Sequence, residues 1–402
     1  VVSDGSTEAR RPKVFVGVSG GVDSSVALAL LKEQGYDVTG VFLKVWAPDF
    51  LSCDWKEERR SAMRVCATLG VPFLTLDCEK EYKKDVVDYM VREYSLGRVP
   101  NPDVFCNKYV KFGVFLQKAL EMGADYVATG HYAQVGFAED SFSRVLGASQ
   151  PDHSKKNFML RESVDKEKDQ SYFLYTLTQE QLKHTLFPVG GMTKAEVRKL
   201  AKKFGLPTAE KKDSQGLCFI GKIDIQDFLS HFIKTKVGDV LNTKGEVIGT
   251  HNGSIFYTIG QRHGFEIKQK TDNDPRFFIV SKDLKQNTIT VASKKSESGE
   301  IFSTMKVVLK DIHFIVEEPK LPFKTTVRIR YRQEKQNCEL SKNEKEYCIK
   351  FEKPQAGIAV GQSAVLYHGE VCLGGGIIDR VVNFGTARDT VLAEPMAKST
   401  TR

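Results

Sequence analysis

Val14-Phe15-Val16-Gly17-Val18-Ser19-Gly20-Gly21-Val22-Asp23-Ser24-Ser25 is an apolar run that breaks into a glycine pair and a hydroxyl pair before a helical pattern begins. It reads as strand, phosphate loop, helix. The glycines let the backbone turn tightly and approach a ligand. Ser19, Asp23, Ser24 and Ser25 surround the helix start, where unpaired N–H groups favour an anion. No lysine follows the glycines, so the G-x-x-x-x-G-K-S/T pattern of P-loop NTPases is absent. A loop without that lysine suits a pyrophosphate that departs whole, as when ATP adenylates a substrate. The plainer alternative is a glycine-rich turn that holds nothing.

Outward from the loop, Val22, Val26, Ala29 and Leu30 recur at helical spacing, and Gly35 is placed to end that helix. Strands are expected at Val38 to Lys44, Val71 to Leu76 and Tyr126 to Thr129, with helices at Glu57 to Leu69 and Glu79 to Tyr94. Strands alternating with helices imply a parallel sheet. Ligands of such sheets lie beyond the carboxyl ends of the strands, so Ser19 to Ser25, Lys44 to Trp46 and Gly130-His131 are expected to converge on one crevice. Ser171 to Phe204 reads as helical, with Thr193 an N-cap and a lysine-rich face after it. Beyond about Lys236 the chain turns to short β runs: Ser254 to Thr258, Phe277 to Val280, Thr325 to Tyr331 and Ser363 to Tyr367. The tail from about Thr386 is expected to fray.

A net charge of +8 from 59 Lys and Arg against 51 Asp and Glu favours a polyanionic partner such as RNA. Eight cysteines occur with no CxxC pair, which disfavours a zinc ribbon or a thioredoxin-like site. The chain has no apolar run near 18 residues and no signal peptide pattern. Its cysteines are therefore expected to be reduced thiols in a cytosol-like compartment.

Two segments carry candidate chemistry. In Gly97-Arg-Val-Pro-Asn-Pro-Asp-Val-Phe-Cys-Asn-Lys108 two prolines rigidify a loop, and Asp103 and Cys106, three apart, can share one face beside a ligand. The competing reading is turn chemistry with Cys106 as buried filler. In Lys211-Lys-Asp-Ser-Gln-Gly-Leu-Cys-Phe-Ile-Gly221 a cysteine lies between glycines after two lysines, which would stabilise a thiolate. Such a thiol could reach a partner and return, or be a small core residue. The other six cysteines read as core or turn residues.

The ordered set S-G-G-V-D-S-S, N-P-D-x-x-C-N-K, A-T-G-H-Y, K-D-Q-S-Y-F-L, F-P-V-G, K-K-D-S-x-G-x-C-F-I-G, T-I-G-Q-R, R-Y-R-Q and G-Q-S-A-V resembles the tRNA-specific 2-thiouridylases, a family of N-type ATP pyrophosphatases. The resemblance runs from Lys13 to about Asp379. It implies an α/β fold: a Rossmann-like parallel sheet in a PP-loop ATP pyrophosphatase domain over 12–221, a small central tRNA-binding domain over 222–292, a C-terminal β-barrel over 293–385 and a tail over 386–402.

It also implies ATP with Mg2+, and adenylation of C2 of the wobble uridine followed by sulfur transfer. Gly17, Val18, Ser19, Gly20, Gly21, Val22, Asp23 and Ser24 would hold the phosphates, with Leu43 and Gly130 on the adenosine side. Asn101, Pro102 and Asp103 would meet the target base, with Asp103 the acid/base. Cys218 would carry a persulfide, and Cys106 would release its sulfur or close a disulfide with Cys218. His131, Lys168, Asp169, Gln170, Arg330, Tyr331 and Gln362 match positions that contact tRNA at its anticodon loop. From the residues alone, His131 could equally be a satisfied strand-end histidine, and Arg328, Arg330 and Arg332 could alternate along a solvated strand.

The implied partners are tRNA and a sulfur-relay or cysteine desulfurase donor, with no membrane, in cytoplasm or an organelle matrix. An iron–sulfur cluster on Cys106, Cys218 and Asp103 is a competing, less favoured use of the thiols. Two other functions compete: an amide ligase or different nucleoside-modifying enzyme, which would not need Cys218, and an RNA-binding scaffold with a dead ATP loop.

Overall fold

The computed structural model describes residues 10–50, 55–137, 146, 157–212, 224–268, 276–293 and 303–382. With strands numbered in chain order, β1 (Lys13–Gly17), β2 (Asp37–Lys44), β3 (Phe73–Asp77), β4 (Tyr126–Ala128) and β7 (Thr185–Leu186) form a parallel sheet in the order β3-β2-β1-β4-β7. β1 is central and covered on both faces, so Val14, Phe15 and Val16 are all buried and its apolar residues run on without alternation. Val16 lies beside Gly40 on one side and Ala128 on the other, so β1 and β4 leave the sheet at the same edge. Strand order reverses between them, which opens the crevice that sequence reasoning expected.

Helix α1 (Val22–Glu33) buries nine of its twelve residues and ends before Gly35, whose φ of 86° closes the turn. Helix α2 is Trp55–Leu69. Pro102–Phe105, Cys106–Val114 and Phe115–Glu121 run on as one helical rod whose middle section is π-helical.

The expected helix across Ser171 to Phe204 is broken. The chain makes a 3-10 turn (Ser171–Phe173), a short helix (Gln179–Lys183), β7, and then a helix over Lys194–Lys203 capped by Thr193. Pro188 and the Gly190-Gly191 pair divide it. A Cβ on Gly190 would stand 1.7 Å from the Ala133 carbonyl oxygen, so that close approach requires glycine.

The central unit is a five-stranded sheet of β8 (Gly238–Leu241), β9 (Val247–His251), β10 (Phe265–Ile267), β11 (Phe277–Asp283) and β12 (Thr288–Ser293), in the order β10-β9-β8-β12-β11. Ser254 to Thr258 is not a strand. Ser254–Phe256 forms a 3-10 turn after Gly253, and the Ser254 N–H goes to the Asn287 side chain instead of a ladder.

The C-terminal barrel comprises β13 (Ser303–Phe314), β14 (Phe323–Arg328), β15 (Gln336–Asn343), β16 (Glu346–Ala356), β17 (Ser363–His368) and β18 (Val371–Val382), closed by pairing of β13 with β18. The hairpin of β5 (Ala133–Phe137) and β6 (Phe158–Glu162) leaves the crevice edge and adds to the start of β18, with Leu160 beside Cys372. One sheet thus joins the N-terminal segment to the barrel.

β14 ends at Arg328, so the three arginines do not alternate along one solvated strand. Arg328 is 9% exposed and reaches Asp169 at 2.7 Å and Glu162 at 2.9 Å. Lys335 joins Glu162 at 3.0 Å, which completes a buried charge network across the join. Among the described residues no helix is long and apolar enough to cross a membrane.

Candidate active site

The pyrophosphate loop is built largely by its own residues. Gly20 has φ 75°, and a Cβ there would stand 2.6 Å from the Glu58 carbonyl oxygen. The Ser19 N–H donates to Ser24 Oγ at 3.2 Å, and Ser25 Oγ donates to the Gly21 carbonyl at 2.6 Å. Gly21 caps α1 with no side-chain hydrogen bond, so the first-turn N–H groups face the loop without a side-chain acceptor at the cap.

Two lysines distant in sequence complete the loop. Lys194 pairs with Asp23 Oδ1 at 2.6 Å, joined there by the Tyr132 hydroxyl at 2.8 Å, and Lys211 Nζ donates to the Gly20 carbonyl at 3.0 Å. The positive charge that a P-loop carries beside its glycines arrives here from elsewhere in the chain. Sequence reasoning placed Lys194 at the start of the helix capped by Thr193 and Lys211 beside a candidate thiolate, and gave Tyr132 no role. The missing loop lysine was the available signal that a cation must come from another element.

Gly130 presses on the opposite side of the same turn. A Cβ there would stand 2.5 Å from the Ser24 nitrogen, so β4 can exit against α1 only with glycine at this position. His131 follows, buried, with Nδ1 2.7 Å from Thr129 Oγ1 and Nε2 3.3 Å from Lys111 Nζ. An ammonium can only donate, so Nε2 accepts and Nδ1 carries the proton. Burial, and then the Lys111 charge, hold His131 well below the usual imidazole range, and it is neutral. Leu43 is buried in the core beneath the crevice.

Asn101 caps the rod that carries Asp103 and Cys106, accepting from the Val104 N–H at 3.4 Å, with Pro102 in the first turn. Asp103 is half-buried and Cys106 is fully buried. This segment is held from outside. Val99 N–H donates to the Val360 carbonyl at 2.8 Å, and the Gln362 amide donates to the Pro100 carbonyl at 3.2 Å. The Tyr172 hydroxyl donates to the Ser363 carbonyl at 2.8 Å. Asn107 Nδ2 donates to the Phe173 carbonyl at 3.0 Å.

The remaining expected tRNA contacts are dispersed. Gln170 braces His131's neighbour, its Oε1 accepting from the Tyr132 N–H at 3.0 Å. Asp169 is 2% exposed and bound to Arg328, Ser163 and Ser171. The Lys168 N–H donates to Asp165 Oδ1 at 3.2 Å. The Arg330 guanidinium donates to the Gly357 carbonyl, and the Tyr331 ring lies 4.4 Å from Phe173. Cys218, with the rest of 213–223, lies outside the described residues, as do Cys53, most of the 141–156 insertion and the tail. Burial pushes Cys66 up to about 11 and Cys78 and Cys338 up to about 12, so these thiols stay protonated.

Residues 12–222 match the family described as the tRNA methyl transferase HUP domain, 226–293 the tRNA methyl transferase PRC-barrel domain, and 304–378 the aminomethyltransferase beta-barrel domain. The chain is 44% identical over 384 residues to the tRNA-specific 2-thiouridylase MnmA of Listeria monocytogenes, covering 94% of this chain and 98% of that one. The corresponding Geobacillus thermodenitrificans protein is 43% identical over 380 residues, covering 93% and 96%. A solved structure, the U34-tRNA thiolase NcsA from Methanococcus maripaludis with its 4Fe-4S cluster, is 17% identical and overlaps 55% of this chain and 64% of that one. Its TM-score is 0.32, an overlap too low to carry an argument. Identity of this level along nearly the whole length, with the three matched segments in order, makes the chain a member of the tRNA-specific 2-thiouridylase family.

Proposed function

We propose that the protein is a tRNA-uridine 2-sulfurtransferase acting on the wobble uridine of the anticodon loop. The observation that carries the reading is the pairing of an α1 start with no side-chain cap, flanked by Lys194 and Lys211, with an Asn101–Cys106 segment tied to the same crevice through Lys111 and His131. ATP lies with its phosphates on Gly17 to Ser24 and its adenosine toward Leu43 and Gly130. Mg2+ would be held chiefly by the triphosphate, and Asp23 is the loop carboxylate that would help to hold it.

Uridine O2 attacks the α-phosphorus, the bond to pyrophosphate breaks, and pyrophosphate leaves. The terminal sulfur of a Cys218 persulfide then attacks C2, and the C–O bond breaks to release AMP with the former uridine oxygen. Cys106 thiolate attacks Cys218 Sγ, leaving sulfur on C2 and closing a Cys106–Cys218 disulfide. A thiol reductant returns two electrons, and a cysteine desulfurase or relay protein reloads Cys218. Asp103 accepts the N3 proton as O2 attacks and returns it once sulfur is in place. Asn101 and Pro102 orient the base, which single-stranded loop recognition lets swing out.

Lys168, Gln170, Arg330, Tyr331 and Gln362 border the RNA path, whereas Asp169 supports it from beneath through Arg328. The compartment is cytoplasm or an organelle matrix. Asp103 and Cys106, one turn apart, would also supply two ligands of an iron–sulfur cluster, with Cys218 the third. Anaerobic purification with iron analysis separates that route from the persulfide one.

The test is nucleoside mass spectrometry of unmodified tRNA incubated with protein, ATP-Mg2+ and a persulfide donor, beside Cys218→Ser. ATP-dependent 2-thiouridine that is lost in the variant is expected. Its absence in wild type, both aerobically and under anaerobic iron-replete conditions, would return the ATP loop to other adenylating reactions.

A further inference from the structure

The helix Tyr89–Ser95 stops at Gly97, whose φ is 71°. The Gly97 N–H donates to the Tyr94 carbonyl at 2.8 Å and the Arg98 N–H to the Glu93 carbonyl at 2.9 Å, the paired bonds of a Schellman stop. Such a stop commonly closes with an apolar contact between the residue after the glycine and the one five positions earlier. Here those positions hold Arg98 and Glu93. Arg98 Nη1 lies 3.6 Å from Oε2 of the buried Glu93, whose other oxygen lies 3.6 Å from Arg92 Nε. The second arm of the fork leaves the domain: Arg98 Nη2 lies 3.6 Å from Asp379 Oδ1 on β18 of the barrel.

All three units of the molecule meet at this turn. Leu284, in the turn between β11 and β12, packs where a Cβ on Gly97 would stand. From the barrel, Gly361 (φ 95°) comes so close that a Cβ on it would stand 3.0 Å from Arg98 Cβ and 2.9 Å from the Val99 nitrogen. Pro100 and Pro102 stiffen the residues that follow, so a displacement at Arg98 is passed on to Asn101 and Asp103 and not absorbed between them.

We propose that Arg98 is a positioning residue for the thiolation reaction, its guanidinium fixing the direction in which the Asn101–Cys106 segment leaves the helix by spanning Glu93 and Asp379. The inference rests on the thiolation reading above. The arm to Asp379 is partly solvated, with side chains 24% and 30% exposed, so it adds little to stability. What it sets is geometry. Arg98 itself touches neither base nor sulfur.

The test compares wild type, Asp379→Asn, Arg98→Lys, Arg98→Met and the Arg98→Met/Asp379→Asn double variant. Single-turnover 2-thiouridine formation at saturating ATP and unmodified tRNA is read beside tRNA affinity, denaturant unfolding and amide hydrogen exchange. Asp379→Asn leaves Glu93 paired, so its unfolding midpoint should match wild type while thiolation falls about three- to tenfold. Arg98→Met should fall further, about 10²-fold. A lysine carries the charge but cannot span both acids as the planar fork does, so Arg98→Lys should stay at least about threefold below wild type. The double variant should be no more than about twofold slower than Arg98→Met, because Asp379 acts through Arg98. Affinity for tRNA should change by less than about twofold in Asp379→Asn. Exchange of the Val99 and Val104 amides should quicken about tenfold in that variant, and exchange of the Ser25 amide in α1 should not.

Asp379→Asn with the wild-type rate, or with the Val99 and Val104 amides still protected, would overturn the proposal, as would Arg98→Lys that thiolates like wild type. Weakened tRNA binding with the bound-state rate preserved would also overturn it, making Arg98 an RNA contact. No 2-thiouridine from wild type would instead defeat the underlying reading, and the exchange of Val99 and Val104 would still report whether Arg98 holds the segment.

Discussion

The pyrophosphate loop and the Asn101–Cys106 segment both lead into a helix start, yet they are held in opposite ways. The loop is fixed by contacts within Ser19 to Ser25 and by neighbours from the same parallel-sheet domain: Glu58, Gly130, Tyr132, Lys194 and Lys211. The Asn101–Cys106 segment is entered through residues held by the barrel, Val99 by the Val360 carbonyl and Pro100 by the Gln362 amide. A loop held within the parallel-sheet domain needs no contact from the barrel to keep its shape. A segment tied to the barrel can only be in register when the barrel is docked, which couples the thiol end of the site to the barrel.

The two kinds of support should break differently. The largest effect is expected from Gly130→Ala, because the new Cβ would stand 2.5 Å from the Ser24 nitrogen and must displace α1's first turn. A shift of about 1 Å there should lower thiolation on the order of 10²-fold, with ATP binding weakened and tRNA affinity retained. Single-turnover rates and separate ATP and tRNA titrations check it, and an intact ATP affinity would contradict it.

Next in size is Arg328→Met, which leaves Glu162 and Asp169 buried without their shared guanidinium. The expected loss is about 3–5 kcal/mol of stability in denaturant unfolding. Because the network joins the Asp169 turn to β14, activity should fall even at temperatures where the variant stays folded, and pyrophosphate-loop binding of ATP should not.

This contrast also explains what could be read from the sequence. Gly17 to Ser25 was legible because its chemistry is contiguous: the apolar run, the glycines and the hydroxyls sit in one stretch and dictate one geometry. The parallel sheet and the capping role of Thr193 were legible for the same reason. The break inside Ser171 to Phe204 was not read, because apolar spacing persists across a loop whose turn depends on Gly190 meeting the Ala133 carbonyl. The burial of Arg328 was hidden because alternation predicts a strand face but not which acid lies opposite it. Lys194 read only as the start of the helix capped by Thr193 and Lys211 as a thiolate neighbour, since only the fold reveals that each reaches the crevice. The Cys218 expectation stands on sequence alone.

A smaller effect reads the His131 environment through pH. Its folded-state pKa is depressed, so the unfolded chain binds a proton below about pH 6.5 that the native chain does not. Stability should therefore fall as pH drops below that value, by at most about 1.4 kcal/mol per pH unit for this one group. His251, also depressed by burial, adds to the same slope. Denaturant unfolding from pH 7.5 to 5 should give a steeper loss in wild type than in His131→Ala. Equal slopes would mean that His131 protonates freely in the folded protein.

The smallest and most discriminating change is Gln362→Ala. Gln362 matches a tRNA-contacting position, but its amide donates to the Pro100 carbonyl, immediately before Asn101. Removing one such hydrogen bond costs about 0.5–1.5 kcal/mol. If that bond positions the segment, the loss should appear as a thiolation rate about three- to tenfold lower. In that case tRNA affinity should change by less than about twofold. A glutamine that instead contacts the anticodon loop would give the reverse pattern, weaker binding with the bound-state rate preserved. The second pattern would detach Gln362 from the barrel-held support of the thiol segment and leave the Val99–Val360 bond to carry it. The first would make the docking of the barrel part of how Asp103 and Cys106 reach the base.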